Sequence, residues 1–335
     1  MDKAVSPLIE TRAVSRRFGE RRQGWLERQL QQRGWTRPPA VTRALDRVDL
    51  KVMPGEVVGL VGESGCGKST LGRIACGLLD PSDGQALVAG KDRASLSHAE
   101  QDAARLQVQM IFQNPYASLN PRLRIDQIVG EAARVNGKVE GGLDDYVCRQ
   151  LLRAGLDPAL RDRYPHQFSG GQRQRIGIAR ALAVQPQMLV CDEAVAALDV
   201  SIQAQILNLF MDLREELGLT YLFISHDLGV VEHVSDRVVI MYLGRVVESA
   251  PVGELFGRPN HPYTRALLAE VPRMSARAKE FTAIKGEIPS PLHPPSGCHF
   301  NPRCPYATQR CREEPPALRE IAPGHMSACH LNDDG

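Results

Sequence analysis

Short apolar runs alternate with helix-like stretches along the first three quarters of the chain. "GEVVGLVG" (Gly55 to Gly62) is an apolar run of strand length bounded by glycines, which predicts a buried strand. "MLVC" (Met188 to Cys191) and "TYLFIS" (Thr220 to Ser225) have the same character and predict two more. "RVVIMYLGRVVE" (Arg237 to Glu248) is interrupted at Gly244 and predicts a hairpin turning there. Between them lies "GGQRQRIGIARALAV", whose Ile176, Ala179, Leu182 and Ala183 share one face of a helix. Strands alternating with helices predict an α/β fold with a largely parallel sheet. From Pro251 onward prolines gather and periodicity fades, which places a boundary near residue 255.

Composition narrows the classes. The 335 residues carry 41 Lys+Arg against 39 Asp+Glu, a net charge of +2, so nothing in the overall charge argues for nucleic acid. No apolar run is long enough to span a membrane, and "MDKAVSPLIETRAVSRRFG" lacks the apolar centre of a secretory signal. The expected compartment is therefore a reducing cytoplasm, where lasting disulfides do not form. Residues 19–44 hold six Arg against two Glu and both tryptophans. They read either as a basic, aromatic surface for lipid headgroups or a partner, or as a solvated excursion between two early strands.

"GESGCGKST" (Gly62, Glu63, Ser64, Gly65, Cys66, Gly67, Lys68, Ser69, Thr70) fits the G-x-x-x-x-G-K-[ST] phosphate loop. It follows a predicted strand and opens a helix, as its mechanism requires. Glycines let backbone N–H groups converge on phosphate oxygens at a helix N-terminus. Lys68 would meet the β- and γ-phosphates, and the Ser69 hydroxyl would ligate Mg²⁺. In "QMLVCDEAVAALD" an apolar strand delivers Asp192, suited to hold Mg²⁺, and then Glu193, suited to polarise an attacking water. "FSGGQRQR" places Ser169, Gly170, Gly171 and Gln172 at a second anion-ready helix start. One ATP needs one phosphate loop, so two such sites in one chain imply two chains docked head to tail. Gln113 in "MIFQNPYASLNPR" is a candidate for Mg²⁺ or the attacking water, and His226 in "FISHDL" for the γ-phosphate.

The order Gly62–Thr70, Gln113, Ser169–Gln172, Asp192–Glu193, Ala197–Leu198–Asp199 and His226 resembles the ABC-transporter ATPase family over residues 8 to about 255. The resemblance implies a P-loop NTPase with a RecA-like core, an antiparallel β subdomain, an α-helical subdomain at about 114–185, and ATP and Mg²⁺ sandwiched in a dimer. It places Asp199 at the dimer contact and Phe18 on the adenine ring. The signature begins with Phe168, where the family usually has Leu. "NPYASLNPR", "HPYTRALL" and "PPSGCHFNPRCP" look like the ATPases of oligopeptide and dipeptide importers, whose relatives also move nickel complexes or glutathione. That implies two transmembrane permeases receiving the surface at about 114–125, a second ATPase subunit forming a heterodimer, and a solute-binding protein. It also implies a peripheral position on the cytoplasmic face of a bacterial inner membrane. A non-transport ABC protein would bring coiled coils, zinc hooks or two cassettes, and the sequence has none.

Cys298, Cys304, Cys311 and Cys329 fall in a proline-rich region, 256–335, spaced C-x5-C-x6-C-x17-C. Cys66, Cys76, Cys148 and Cys191 sit within the ATPase elements and read as packing residues. Clustered thiols in a reducing compartment suit zinc or an iron–sulfur cluster. Zinc sites usually bring C-x2–4-C knuckles, whereas widely spaced single cysteines suit the corners of a [4Fe–4S] cube. The importer ATPases that the chain resembles share this pattern, and some carry such a cluster. The cluster is the expectation here and zinc the alternative.

Overall fold

The computed structural model describes residues 6–20, 40–270 and 286–333. The strands are β1 (Ile9–Phe18), β2 (Thr42–Val52), β3 (Val57–Val61), β4 (Asp83–Val88), β5 (Lys91–Asp92) and β6 (Val108–Ile111). They continue with β7 (Met188–Asp192), β8 (Thr220–Ser225), β9 (Arg237–Tyr242), β10 (Arg245–Pro251), β11 (Arg319–Ala322) and β12 (His325–Ser327).

Two sheets result. The larger runs β11-β12-β10-β9-β3-β8-β7-β6, and its β6, β7, β8, β3 and β9 pair in parallel. Every residue of β3, β7 and β8 is buried. Strands covered on both faces read as unbroken apolar runs rather than alternating ones, which is why these three were legible. The smaller sheet, β2-β1-β4-β5, is antiparallel throughout. The fold is thus the expected RecA-like core with an antiparallel β subdomain.

The hairpin predicted at Gly244 is β9–β10, with Tyr242 opposite Arg245. Its two-residue turn puts Leu243 at φ 40° and Gly244 at φ 78°. Positive φ at both positions matches the right-handed twist of the flanking strands.

A helical layer, Ile125–Val135, Leu143–Arg153 and Gly170–Leu182, occupies the interval predicted for a helical subdomain. Ile176, Ala179, Leu182 and Ala183 are all buried in one apolar cluster with Tyr146, Leu151 and Phe168. Phe168 at the start of the signature therefore fills a core position, as Leu would.

Beyond residue 255 the chain is more regular than its prolines suggested. His261 caps the helix Pro262–Ala269 by accepting the Tyr263 N–H at Nδ1. Farther on, β12 pairs with β10 and extends the main sheet. Glu248 on β10 is fully buried and accepts from the backbone of Asn260 and His261, with His325 Nε2 2.7 Å away. The C-terminal region shares one apolar cluster with β9 and β10, centred on Tyr242, Tyr263 and Phe300. Phe300 meets Tyr242 edge-on at 5.3 Å; such pairs add about 0.5–1.5 kcal/mol beyond burial. Most of the basic stretch, residues 21–39 with both tryptophans, lies outside the described residues.

Candidate functional site

The phosphate loop joins β3 to the helix Lys68–Ala75. Two of its glycines are required by close approach. A Cβ on Gly62 would lie 2.2 Å from the Met241 carbonyl oxygen, and one on Gly67, at φ 108°, 2.4 Å from that of Ala44. Lys68 is buried and curls back over the loop, donating to the carbonyls of Gly62 at 2.6 Å and Glu63 at 3.0 Å. A buried ammonium held by carbonyl dipoles and the Cys66 thiol, with no carboxylate bonded to it among the described residues, is a ready partner for an anion.

The ends of β7 and β8 bring the remaining candidates to this loop. Ser69 Oγ donates to Asp192 Oδ1 at 2.7 Å. Burial pushes the Asp192 carboxyl above its usual range, with the Ser69 hydrogen bond opposing it. A hydroxyl and a buried carboxylate in contact beside a phosphate loop are a donor set that fits Mg²⁺. Glu193 follows at φ 47°, its N–H bonded to the Ile224 carbonyl of β8 at 2.9 Å. That backbone conformation is uncommon for a residue with a side chain and tends to mark functional positions. The Glu193 carboxylate accepts from Gln113 Nε2 at 2.6 Å, and His226 Nδ1 lies 3.6 Å from its other oxygen. Gln113, Glu193 and His226, which are far apart in sequence, thus meet at one carboxylate.

Phe18 ends β1 opposite Thr42, two residues before the Ala44 carbonyl that touches Gly67. It is 40% exposed, with the Arg16 guanidinium 4.9 Å from its ring centroid.

The signature turn is not part of this group. Ser169 caps the helix Gly170–Leu182 in a reciprocal box with Gln172, and a Cβ on Gly171 would lie 2.6 Å from Ile202. Asp199 precedes the helix Val200–Leu217, and Val200 beside it is 82% exposed.

Burial above all, with Cys311, Cys329 and Cys304 adding to it and a backbone hydrogen bond at Phe300 opposing, pushes the Cys298 thiol up to about 11. Cys298 N–H also donates to the Cys311 carbonyl at 2.8 Å. Four thiols suit a metal or cluster in kind and number. Even so, no group of three or more His, Cys, Asp or Glu is placed to hold a metal ion among the described residues.

Two residues of this neighbourhood were quoted in the sequence without a role. Tyr263 Oη accepts the Glu63 N–H at 3.0 Å, and Arg303 pairs with the Glu63 carboxylate. Nothing local in the sequence signals contacts across 200 and 240 residues.

The fold, loop and carboxylate geometry together define a nucleotide-hydrolysing cassette. The ABC transporter family matches residues 45–196, and the oligopeptide/dipeptide transporter C-terminal region matches residues 247–311. A probable peptide ABC transporter ATP-binding protein of Sinorhizobium fredii is 51% identical over 302 residues, 89% of this chain and 85% of that one. An oligopeptide transport ATP-binding protein of Bacillus subtilis is 50% identical over 294 residues, 86% of this chain and 89% of that one. Among solved structures, a dimeric post-hydrolysis state of the ATP-binding cassette MJ0796, bound to ADP and Pi, superposes with TM-score 0.60. It is 26% identical and covers 73% of this chain and 98% of that one. The chain belongs to the ABC-transporter ATPase family, in the group that carries the oligopeptide/dipeptide transporter C-terminal region. It is an ATPase, and the nucleotide of its family is ATP with Mg²⁺.

Proposed function

We propose that this chain drives the uptake of di- and oligopeptides as the ATP-hydrolysing subunit of a membrane importer. The observation that carries the reading is one chain joining the Ser69–Asp192 and Gln113–Glu193–His226 contacts to the peptide-transporter C-terminal region. Gly62 to Thr70 hold the phosphates, with Lys68 supplying charge and Phe18 stacking on adenine. Ser69, Asp192 and Gln113 hold Mg²⁺, which when bound neutralises charge on the β- and γ-oxygens. Glu193 orients and polarises the attacking water, Gln113 and His226 fix its carboxylate, and His226 reaches the γ-phosphate. Ser169, Gly170, Gly171 and Gln172 serve the nucleotide of an opposed chain, with Asp199 and Val200 at the contact.

Residues 1–255 form the nucleotide-binding domain and 256–335 the C-terminal region. The working assembly pairs this chain with a different ATPase of the same family and with two permeases, fed by a solute-binding protein. It has no nucleic-acid partner. No described helix is long and apolar enough to cross a membrane, so attachment at the cytoplasmic face of the inner membrane runs through the permeases. Deleting the chain's gene is expected to abolish uptake of labelled di- or tripeptides, and restoring it to recover uptake. Unchanged peptide uptake, with loss of uptake of a nickel complex or glutathione, would reassign the solute.

Cys298, Cys304, Cys311 and Cys329 would hold a [4Fe–4S] cluster, a reading supported by their number and wide spacing. Binding would draw the sulfurs closer together and stabilise their thiolates against burial. Anaerobically purified protein is expected to be brown with about four irons per chain; a colourless protein with one zinc would replace the cluster by zinc.

A further inference from the structure

Arg303 lies within the cysteine-bearing stretch, and its side chain is only 4% exposed. Its guanidinium grips the phosphate loop with two prongs, Nη1 donating to Glu63 Oε2 at 2.7 Å and Nη2 to Oε1 at 2.9 Å. Its Nε has no hydrogen-bond partner among the described residues, so this pair and a longer contact to the Tyr242 hydroxyl at 3.3 Å offset its burial. The backbone of Glu63 is engaged as well. Its N–H donates to Tyr263 Oη at 3.0 Å, and its carbonyl accepts from Lys68 at 3.0 Å. Glu63 is therefore fixed on one side by the C-terminal region and on the other by the lysine that meets phosphate.

A second strut reaches the same loop. His299 Nδ1 lies 3.0 Å from the Leu243 carbonyl, and the next residue, Gly244, donates its N–H to the Cys66 carbonyl at 2.9 Å. The loop is thus braced at Glu63 directly by Tyr263 and Arg303, and at Cys66 through the β9–β10 turn that His299 meets.

The physical need for such bracing is plain. Phosphate capture by backbone N–H groups requires the loop to be preformed, and glycine-rich backbone loses more entropy on ordering than any other. Ordering the loop in advance removes that loss from the binding step. In addition, an unpaired Glu63 carboxylate beside the polyphosphate would repel it.

We propose that Arg303 and Tyr263 are positioning residues for ATP: through Glu63 they hold the phosphate loop in its receiving conformation, so the C-terminal region sets nucleotide affinity. The proposal rests on Gly62–Thr70 being the ATP site and on nothing about what the four thiols hold. Full-length wild type, Arg303→Met, Arg303→Lys, Tyr263→Phe, Glu63→Gln and the Glu63→Gln/Arg303→Met double variant would be titrated with ATP. Their KM and kcat would also be measured in the assembled complex. Arg303→Met is expected to weaken ATP binding about tenfold and to raise KM with little change in kcat. Arg303→Lys keeps a charge on fewer donors, and Tyr263→Phe removes one acceptor while keeping the ring, so each should weaken binding about threefold. The double variant should bind no worse than the worse single one, since the two residues act as a pair. Should Arg303→Met fail to fold, the two conservative variants decide. Wild-type affinity and KM in both of those, or additive losses in the double variant, would overturn the clamp. Failure of the wild type itself to bind ATP would instead overturn the nucleotide site.

Discussion

Glu193 is where three of the candidate side chains meet. Its carboxylate takes a hydrogen bond from Gln113 at 2.6 Å and faces His226, while its backbone holds a conformation few side-chain residues adopt. Glu193→Gln keeps the shape but cannot take a proton from water, so steady-state hydrolysis should fall by about a hundredfold or more while ATP still binds. Wild-type turnover of that variant in the assembled complex would contradict the role. A second prediction concerns acid. Burial lowers the His261 pKa to about 3, with nearby Arg265 adding to the effect and a backbone bond to Ala328 opposing it. Its neutral Nδ1 accepts the Tyr263 N–H, which a protonated ring could not do. The folded pKa lies below the unfolded value, so this contribution to stability is full above about pH 6.5 and falls away as pH drops toward 3. Thermal melts from pH 7 to 4 should show the decline, and His261→Asn, which can still cap, should flatten it; an unchanged slope would refute the assignment. Most of these residues were legible from sequence because each sits in a spaced motif at a strand end. Arg303 and Tyr263 were not, since their partner is remote in the chain.

Among the elements, the buried parallel strands were legible because unbroken apolar runs announce them. The antiparallel strands were less so. β1 pairs with repeated register shifts, so its apolar positions lose strict alternation, and β11 and β12 span only four and three residues. β12 is buried by pairing with β10, and β11 pairs with β12 as a largely exposed edge strand, an arrangement that no local pattern encodes. One contact between elements carries a prediction about coupling. The short helix Pro115–Ser118 presents Tyr116, 65% exposed, and the Arg173 guanidinium of the signature helix lies 3.7 Å from its ring centroid. Arg180, two turns farther along that helix, donates to the Ser118 carbonyl. A permease segment seated on this surface would therefore press directly on the helix that begins at Ser169. Tyr116→Ala should leave ATP affinity of the isolated chain unchanged and weaken association with the permeases about tenfold, as loss of an exposed aromatic anchor does. Equal association of variant and wild type in a pull-down would dismiss this surface.

For the molecule as a whole, the phosphate loop and the signature turn are built on different subdomains. Gln113, Glu193 and His226 gather near the loop, while Ser169 and Gln172 bond to each other and Gly171 packs on Ile202, two residues from the exposed Val200. Under the proposed function, a single chain so arranged would hold half of two sites. The sequence raises the same expectation, because two anion-ready helix starts exceed what one nucleotide needs. The central claim is that hydrolysis requires a second chain's signature, and one comparison tests it most directly. ATP binding by the isolated chain and ATP turnover by the assembled complex should be measured for Lys68→Ala and Ser169→Arg side by side. Lys68→Ala should lose ATP binding by at least about tenfold, since it removes the loop's own charge. Ser169→Arg should bind ATP as the wild type does, yet turn it over about tenfold more slowly or worse, because the arginine obstructs the opposed site. Equal loss of ATP binding in both variants, or wild-type turnover in Ser169→Arg, would contradict the two-chain site.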